Sequence, residues 1–191
     1  DHRSDPGQWL RRKAFYGSSA GPLAQRHPGK VAPLVISGWA LLSWLLLAIG
    51  GRLGVLGSLL CAAVAGGKVS RALRSPETGA REVALLTARS LGSAALQLCA
   101  AICRHYWPLA LLGALLSPRM RRAVLIAAVI DGVADWLAHR SAGEDADEVR
   151  PVGIIAYLMI KRLDDLAYGA GLWESVVRGR TVAPLQPQIR F

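Results

Sequence analysis

The sequence predicts an all-α integral membrane protein, with transmembrane helix hairpins flanked by interfacial amphipathic helices. Three observations carry that prediction. Residues 31–51 run for twenty-one positions without a charge, between Lys30 and Arg52. At a helical rise of ~1.5 Å per residue this run reaches roughly 31 Å, close to the hydrocarbon thickness of a bilayer. A second uncharged run, residues 53–67, follows a turn at Gly50-Gly51-Arg52. Finally, hydrophobic residues make up 52% of the chain while its net charge is +10, and the basic residues gather at the ends of apolar runs. That placement fits anionic headgroups and membrane topology, so the expected partner is the lipid bilayer and not nucleic acid.

The chain opens at Asp1, not Met, inside a basic segment, which is the expectation for the back portion of a longer protein. Residues 1–30 form the first block. Asp5 is placed to cap a helix and Pro6 to occupy its first position, where a missing N–H costs nothing. Trp9, Tyr16, Ala20 and Leu23 then fall near one face, with Arg11, Arg12 and Lys13 mainly elsewhere. A helix of this kind suits the membrane interface, with the aromatic rings at headgroup depth and the cations toward phosphates.

Residues 31–139 form the membrane block. Residues 31–51 and 53–67 read as two spans, the second extended to about residue 70 by a snorkelling Lys68. Lys68, Arg71, Arg74 and Arg81 make a basic loop around Ser75-Pro76. The segment before the first span is basic too, so the positive-inside rule puts both on the cytoplasmic side of the cell membrane, in a multi-pass chain with cytoplasmic termini. Residues 82–103 are long enough to cross but carry Arg89, and residues 106–118 are uncharged but short. Residues 123–137 are apolar except for Asp131 and Asp135. A polar linker, residues 140–150, leads to the last block, 151–191. There Ile155, Met159, Leu163, Leu166, Ala170, Trp173 and Val177 form one apolar stripe at helical spacing, with Lys161 and Asp165 on the polar side. This block reads as an amphipathic helix on the membrane face and an extended tail.

Reactive motifs are few. The sequence has no Gly-rich phosphate loop, nucleophile elbow or zinc-ligand spacing. Asp131 and Asp135 sit one turn apart in an apolar helix. They invite comparison with cation-binding aspartates, but pairing with a membrane arginine such as Arg89, or exposure at the interface, is the simpler account. Asp164 and Asp165 find an ordinary ion-pair account in Lys161 and Arg162. Cys61, Cys99 and Cys103 lie in apolar stretches and read as small buried hydrophobes.

Three blocks carry a resemblance. Trp9-Leu10-Arg11-Arg12-Lys13-Ala14-Phe15-Tyr16-Gly17, with Ser18 to Ala20 and the stretch around Pro22 and His27, is one. Arg104-His105-Tyr106-Trp107-Pro108-Leu109-Ala110 is the second, and Arg162-Leu163-Asp164-Asp165-Leu166-Ala167-Tyr168-Gly169-Ala170-Gly171-Leu172-Trp173 the third. In this order they resemble the mycofactocin-system glycosyltransferases, a branch of the family 2 glycosyltransferases. The resemblance implies a membrane-attached enzyme adding glucose from UDP-glucose to the peptide-derived redox cofactor mycofactocin. It also implies an upstream catalytic domain, of which residues 1–30 hold the end, that binds a divalent metal, Mg or Mn, and the nucleotide sugar. His2 corresponds to a histidine that faces the metal-bound diphosphate in such domains. The alternative from another class is a small non-enzymatic membrane interaction or transport subunit.

Overall fold

A computed structural model describes residues 5–73, 79–142 and 153–191. His2, Arg74, Ser75, Pro76, Pro151 and most of the polar linker lie outside the described residues. The chain forms two compact units, each drawn from separate stretches of sequence. One comprises residues 1–33 and 98–186, the other residues 34–97 and 187–191.

The first unit begins with α1 (Pro6–Ser18), where Asp5 Oδ1 accepts from the Gly7 N–H at 2.8 Å and Pro6 fills the opening turn, as the sequence indicates. The helix does not continue unbroken to residue 27. The Ser18 and Ser19 hydroxyls donate to the Phe15 and Tyr16 carbonyls at 2.8 and 2.7 Å, competing for the helical acceptors, and α2 (Ala20–Arg26) restarts as a separate turn.

The second unit corrects the first predicted span. Residues 31–51 are not one helix. They open with a short strand, β1 (Val35–Ser37), and only then form α3 (Gly38–Ile49), whose 12 residues reach about 18 Å. Pro33 disfavours helix in the residue before it and lacks an N–H, while Val35 and Ile36 are β-branched. The strand's polar groups are satisfied by a partner at the far end of the chain. Ile36 pairs in parallel register with Ile189 of β2 (Gln188–Arg190), and Leu34 O accepts from Gln188 N at 2.8 Å. The Phe191 ring then occupies the place a side chain at Gly38 would need, and meets Trp39 edge-on at 6.4 Å.

Gly50 and Gly51 both have positive φ, a conformation other residues rarely adopt, and this turns the chain from α3 into α4 (Gly51–Leu73). Buried Ser43 donates to Ser58 O at 3.1 Å and ties the two helices. Of the expected basic loop, Lys68 and Arg71 instead lie within α4 and Arg81 within α5 (Ala80–Arg104), whose Leu91 carbonyl accepts from the Trp44 indole at 3.0 Å. Among the described residues, α4 and α5 are the two helices long and apolar enough to cross a membrane. Only 11% of the most apolar stretch of α4 and 17% of that of α5 is buried. Leu53, Leu59 and Leu60 face outward from α4.

The first unit resumes with α6 (Trp107–Leu116), α7 (Pro118–Ala142) and α8 (Ile154–Gly179). Pro108 sits in the first turn of α6, as its spacing suggests. Past α8 the chain reverses at Arg180, in the left-handed region, and makes a single 3-10 turn, Ala183–Leu185, before β2.

Candidate functional site

α8 gathers the chemistry of the first unit. Along its C-terminal half it receives α1 at backbone distance. A β carbon at Gly17 would fall on the Tyr168 carbonyl oxygen, and one at Gly171 on that of Ala14. Glycine at both positions lets two helices meet without intervening side chains. α8 is assigned as one helix through Gly169 and Gly171, and both glycines are contact points. Lys13 Nζ lies 2.7 Å from Asp164 Oδ1 and 5.9 Å from the Trp9 ring centroid. Lys13 is thus held by the protein, while Arg11, Arg12 and Tyr16 remain exposed and Trp9 is half-buried.

The corner between α5 and α6 meets the same stretch of α8. Trp173 donates its indole N–H to His105 O at 2.8 Å, the Arg104 guanidinium lies 4.1 Å over the Tyr168 ring, and the His105 ring meets Tyr168 edge-on. Tyr106 donates to Leu185 O at 2.8 Å. Burial, reinforced by the Arg104 charge, lowers the His105 imidazole from its usual 6.5 to about 4, so it is neutral at physiological pH.

The N-terminal half of α8 faces α7 with charged groups. Asp131 is 7% exposed and Asp165 2%. Asp131 pairs with Arg162 through a short charge-assisted hydrogen bond and with Lys161 at 3.3 Å. Lys161 also lies 3.7 Å from both Asp135 and Asp165, and Arg162 lies 3.1 Å from Asp165. Tyr157 donates to Asp135 Oδ2 at 2.7 Å, and Arg104 reaches Asp165 at 3.9 Å. Three carboxylates face three cations, so the cluster carries no net charge. Arg162 and Lys161, and not Arg89, are the partners of Asp131. The predicted pairing of Asp165 with Lys161 and Arg162 is present, but it is buried, not on a solvated polar side.

This arrangement ties α7, α8 and the end of α5 together. Every carboxylate in the cluster is already engaged by a cation. Among the described residues, no group of three or more His, Cys, Asp or Glu side chains is placed to hold a metal ion. His2, the metal and diphosphate candidate, lies outside the described residues. Sequence reasoning missed the Lys13–Asp164, Tyr157–Asp135 and Arg104–Asp165 contacts. The available signal was two aspartates in an apolar helix, which need cations, and adjacent Lys161 and Arg162 in the next helix.

The three resembling blocks thus meet on α8: α1 and the α5–α6 corner both contact it through their quoted residues. No family model matches the chain, and no solved structure matches it. Two relatives do, both called pre-mycofactocin glycosyltransferase, from Mycobacterium tuberculosis strains CDC 1551 / Oshkosh and ATCC 25618 / H37Rv. Each is 57% identical over 190 residues, covering 100% of this chain and 40% of the relative. From end to end, this chain is similar to a portion of the pre-mycofactocin glycosyltransferases, spanning 40% of the length of the relatives it matches.

Proposed function

We propose that this chain is the membrane-anchoring portion of a glycosyltransferase that transfers glucose from UDP-glucose to mycofactocin or its peptide-derived precursor. The observation that carries this reading is the 57% identity along the entire chain to relatives bearing that name. Anchoring is supported by α4 and α5, whose outward-facing leucines would be costly in water and suit hydrocarbon. In the same reading α1 lies at the interface, with Phe15 and Tyr16 at headgroup depth and Arg11 and Arg12 toward phosphates. The basic flanks at residues 11–30 and 68–81 favour the cytoplasmic side for both, where nucleotide sugar is available.

The catalytic core, with its Mg or Mn, belongs in this reading to a domain upstream of Asp1, and the clamp of α1 on α8 fixes that domain's exit to the membrane portion. His2 is assigned to the nucleotide-sugar site, where it would stabilise charge developing on the leaving diphosphate. Two measurements test the proposal. The complete protein should remain in carbonate-washed membranes and transfer labelled glucose from UDP-glucose to the precursor. A complete protein that stays in the membrane yet transfers no sugar would reject the enzymatic part. His2→Ala should lower turnover while leaving membrane retention unchanged; equal turnover removes His2 from the site.

A further inference from the structure

α7 and α8 fail any test for membrane helices that counts charges one helix at a time. Paired, they present a different surface. Their carboxylates and cations face each other, whereas the outside of the pair is lined by large aliphatic side chains. Leu125, Val129 and Ile130 of α7 are exposed, and so are Ile155, Met159 and Leu163 of α8, with Ile155 at 77%. The pattern is inside-out. In water, the stripe of α8 would turn inward and Asp131, Lys161, Arg162 and Asp165 outward, because burying ion pairs costs desolvation that aliphatic burial does not. In hydrocarbon the preference reverses, and ionisable groups retreat to the interior and pair.

We infer that the outer face of the α7–α8 pair is covered by the acyl chains of the bilayer, with the neutral ion-pair cluster as its polar interior. This inference rests on the anchoring reading and extends it to helices with no span-like composition. Charge complementarity supports lipid over a second protein. Arg119, Arg121 and Arg122 are exposed at the start of α7, where the aliphatic face begins, and would meet anionic headgroups. Each carboxylate of the cluster is engaged by a cation, so its charges pair with one another between the helices. Gly132 contributes to closure of the pair, since a β carbon there would meet the Leu158 side chain.

The test uses the complete wild-type protein in vesicles containing phosphatidylglycerol and a phospholipid with a diazirine near the end of one acyl chain. After illumination, adducts are mapped by peptide. Adducts should appear at residues 125–130 and 155–163 at a yield within severalfold of that at residues 53–60 of α4. Labelling of α4 without labelling of α7 and α8 overturns this inference and leaves the anchoring reading standing. That result would be obtained if a second copy or the upstream domain covered the face. Absence of adducts from α4 as well overturns the anchoring reading and the inference with it.

Discussion

Gly171 brings α8 against the main chain of α1 at Ala14. A β carbon at 171 would lie 3.0 Å from the Ala14 Cα and would overlap its carbonyl. Gly17 repeats the relationship in reverse, against Tyr168 O. The two glycines set how closely the helices approach, and Lys13–Asp164 sets their register.

Substituting Gly171 by Ala should therefore separate α1 from α8. Overpacking of this kind costs about 1–3 kcal/mol, and Gly171→Val should cost more. Unfolding of the purified protein in detergent, followed by tryptophan fluorescence, gives the value. Protease sensitivity near residues 18–20 should rise alongside. An unchanged midpoint for Gly171→Val would show that the helices do not meet there.

The ion-pair cluster should behave asymmetrically under mutation. Arg162→Leu alone leaves Asp131 to Lys161 and Asp165 to Lys161 and Arg104, and the loss should fall below the about 3–5 kcal/mol that removing the sole partner of a buried charge costs. Asp131→Leu combined with Arg162→Leu should recover part of that loss. A double-mutant cycle reads the coupling directly; additive effects would mean that the two groups do not interact.

Acidification should weaken the first unit through His105. The unfolded imidazole titrates near 6.5 and the folded one near 4. Between those values the unfolded state holds the extra proton, so stability rises with pH across this window and is lost as pH falls from 6.5 toward 4. His105→Phe should flatten that part of the profile. Denaturant midpoints collected from pH 4 to pH 8 for both proteins make the comparison.

Reporter fusions check sidedness. Fusions after Lys30 and after Arg74 in the complete protein should both give cytoplasmic signals. A periplasmic signal from either one contradicts the assignment made from the basic flanks.

Much of the helical order is legible from apolar runs, caps and prolines: Asp5 and Pro6 open α1, Pro108 opens α6, α4 follows the uncharged run 53–67, and α5 follows the apolar run 82–103 despite Arg89. What failed was the meaning of an uncharged run. The absence of charge in residues 31–51 does not separate a strand followed by a short helix from one long helix. Pro33 and the β-branched pair at 35 and 36 were the local hints, but the deciding partner, Ile189, is remote in sequence. The same limit applies to the candidate site. Periodicity finds the stripe through Ile155, Met159 and Leu163, yet which side of α8 faces protein depends on Asp131 and Gly17, supplied by other helices.

The pairing of β1 with β2 has a consequence for how the chain is made. At synthesis rates of ~5–20 residues per second, roughly 8–30 s separate the emergence of Val35 from that of its partner Gln188. During that interval the helices that follow β1 emerge one after another while its backbone edge stays open. Residues 188–190 close it once they emerge, so β2 acts as a latch on a unit whose helices precede it in the chain. A ribosome stalled just short of residue 188 would hold that unit with its latch undone.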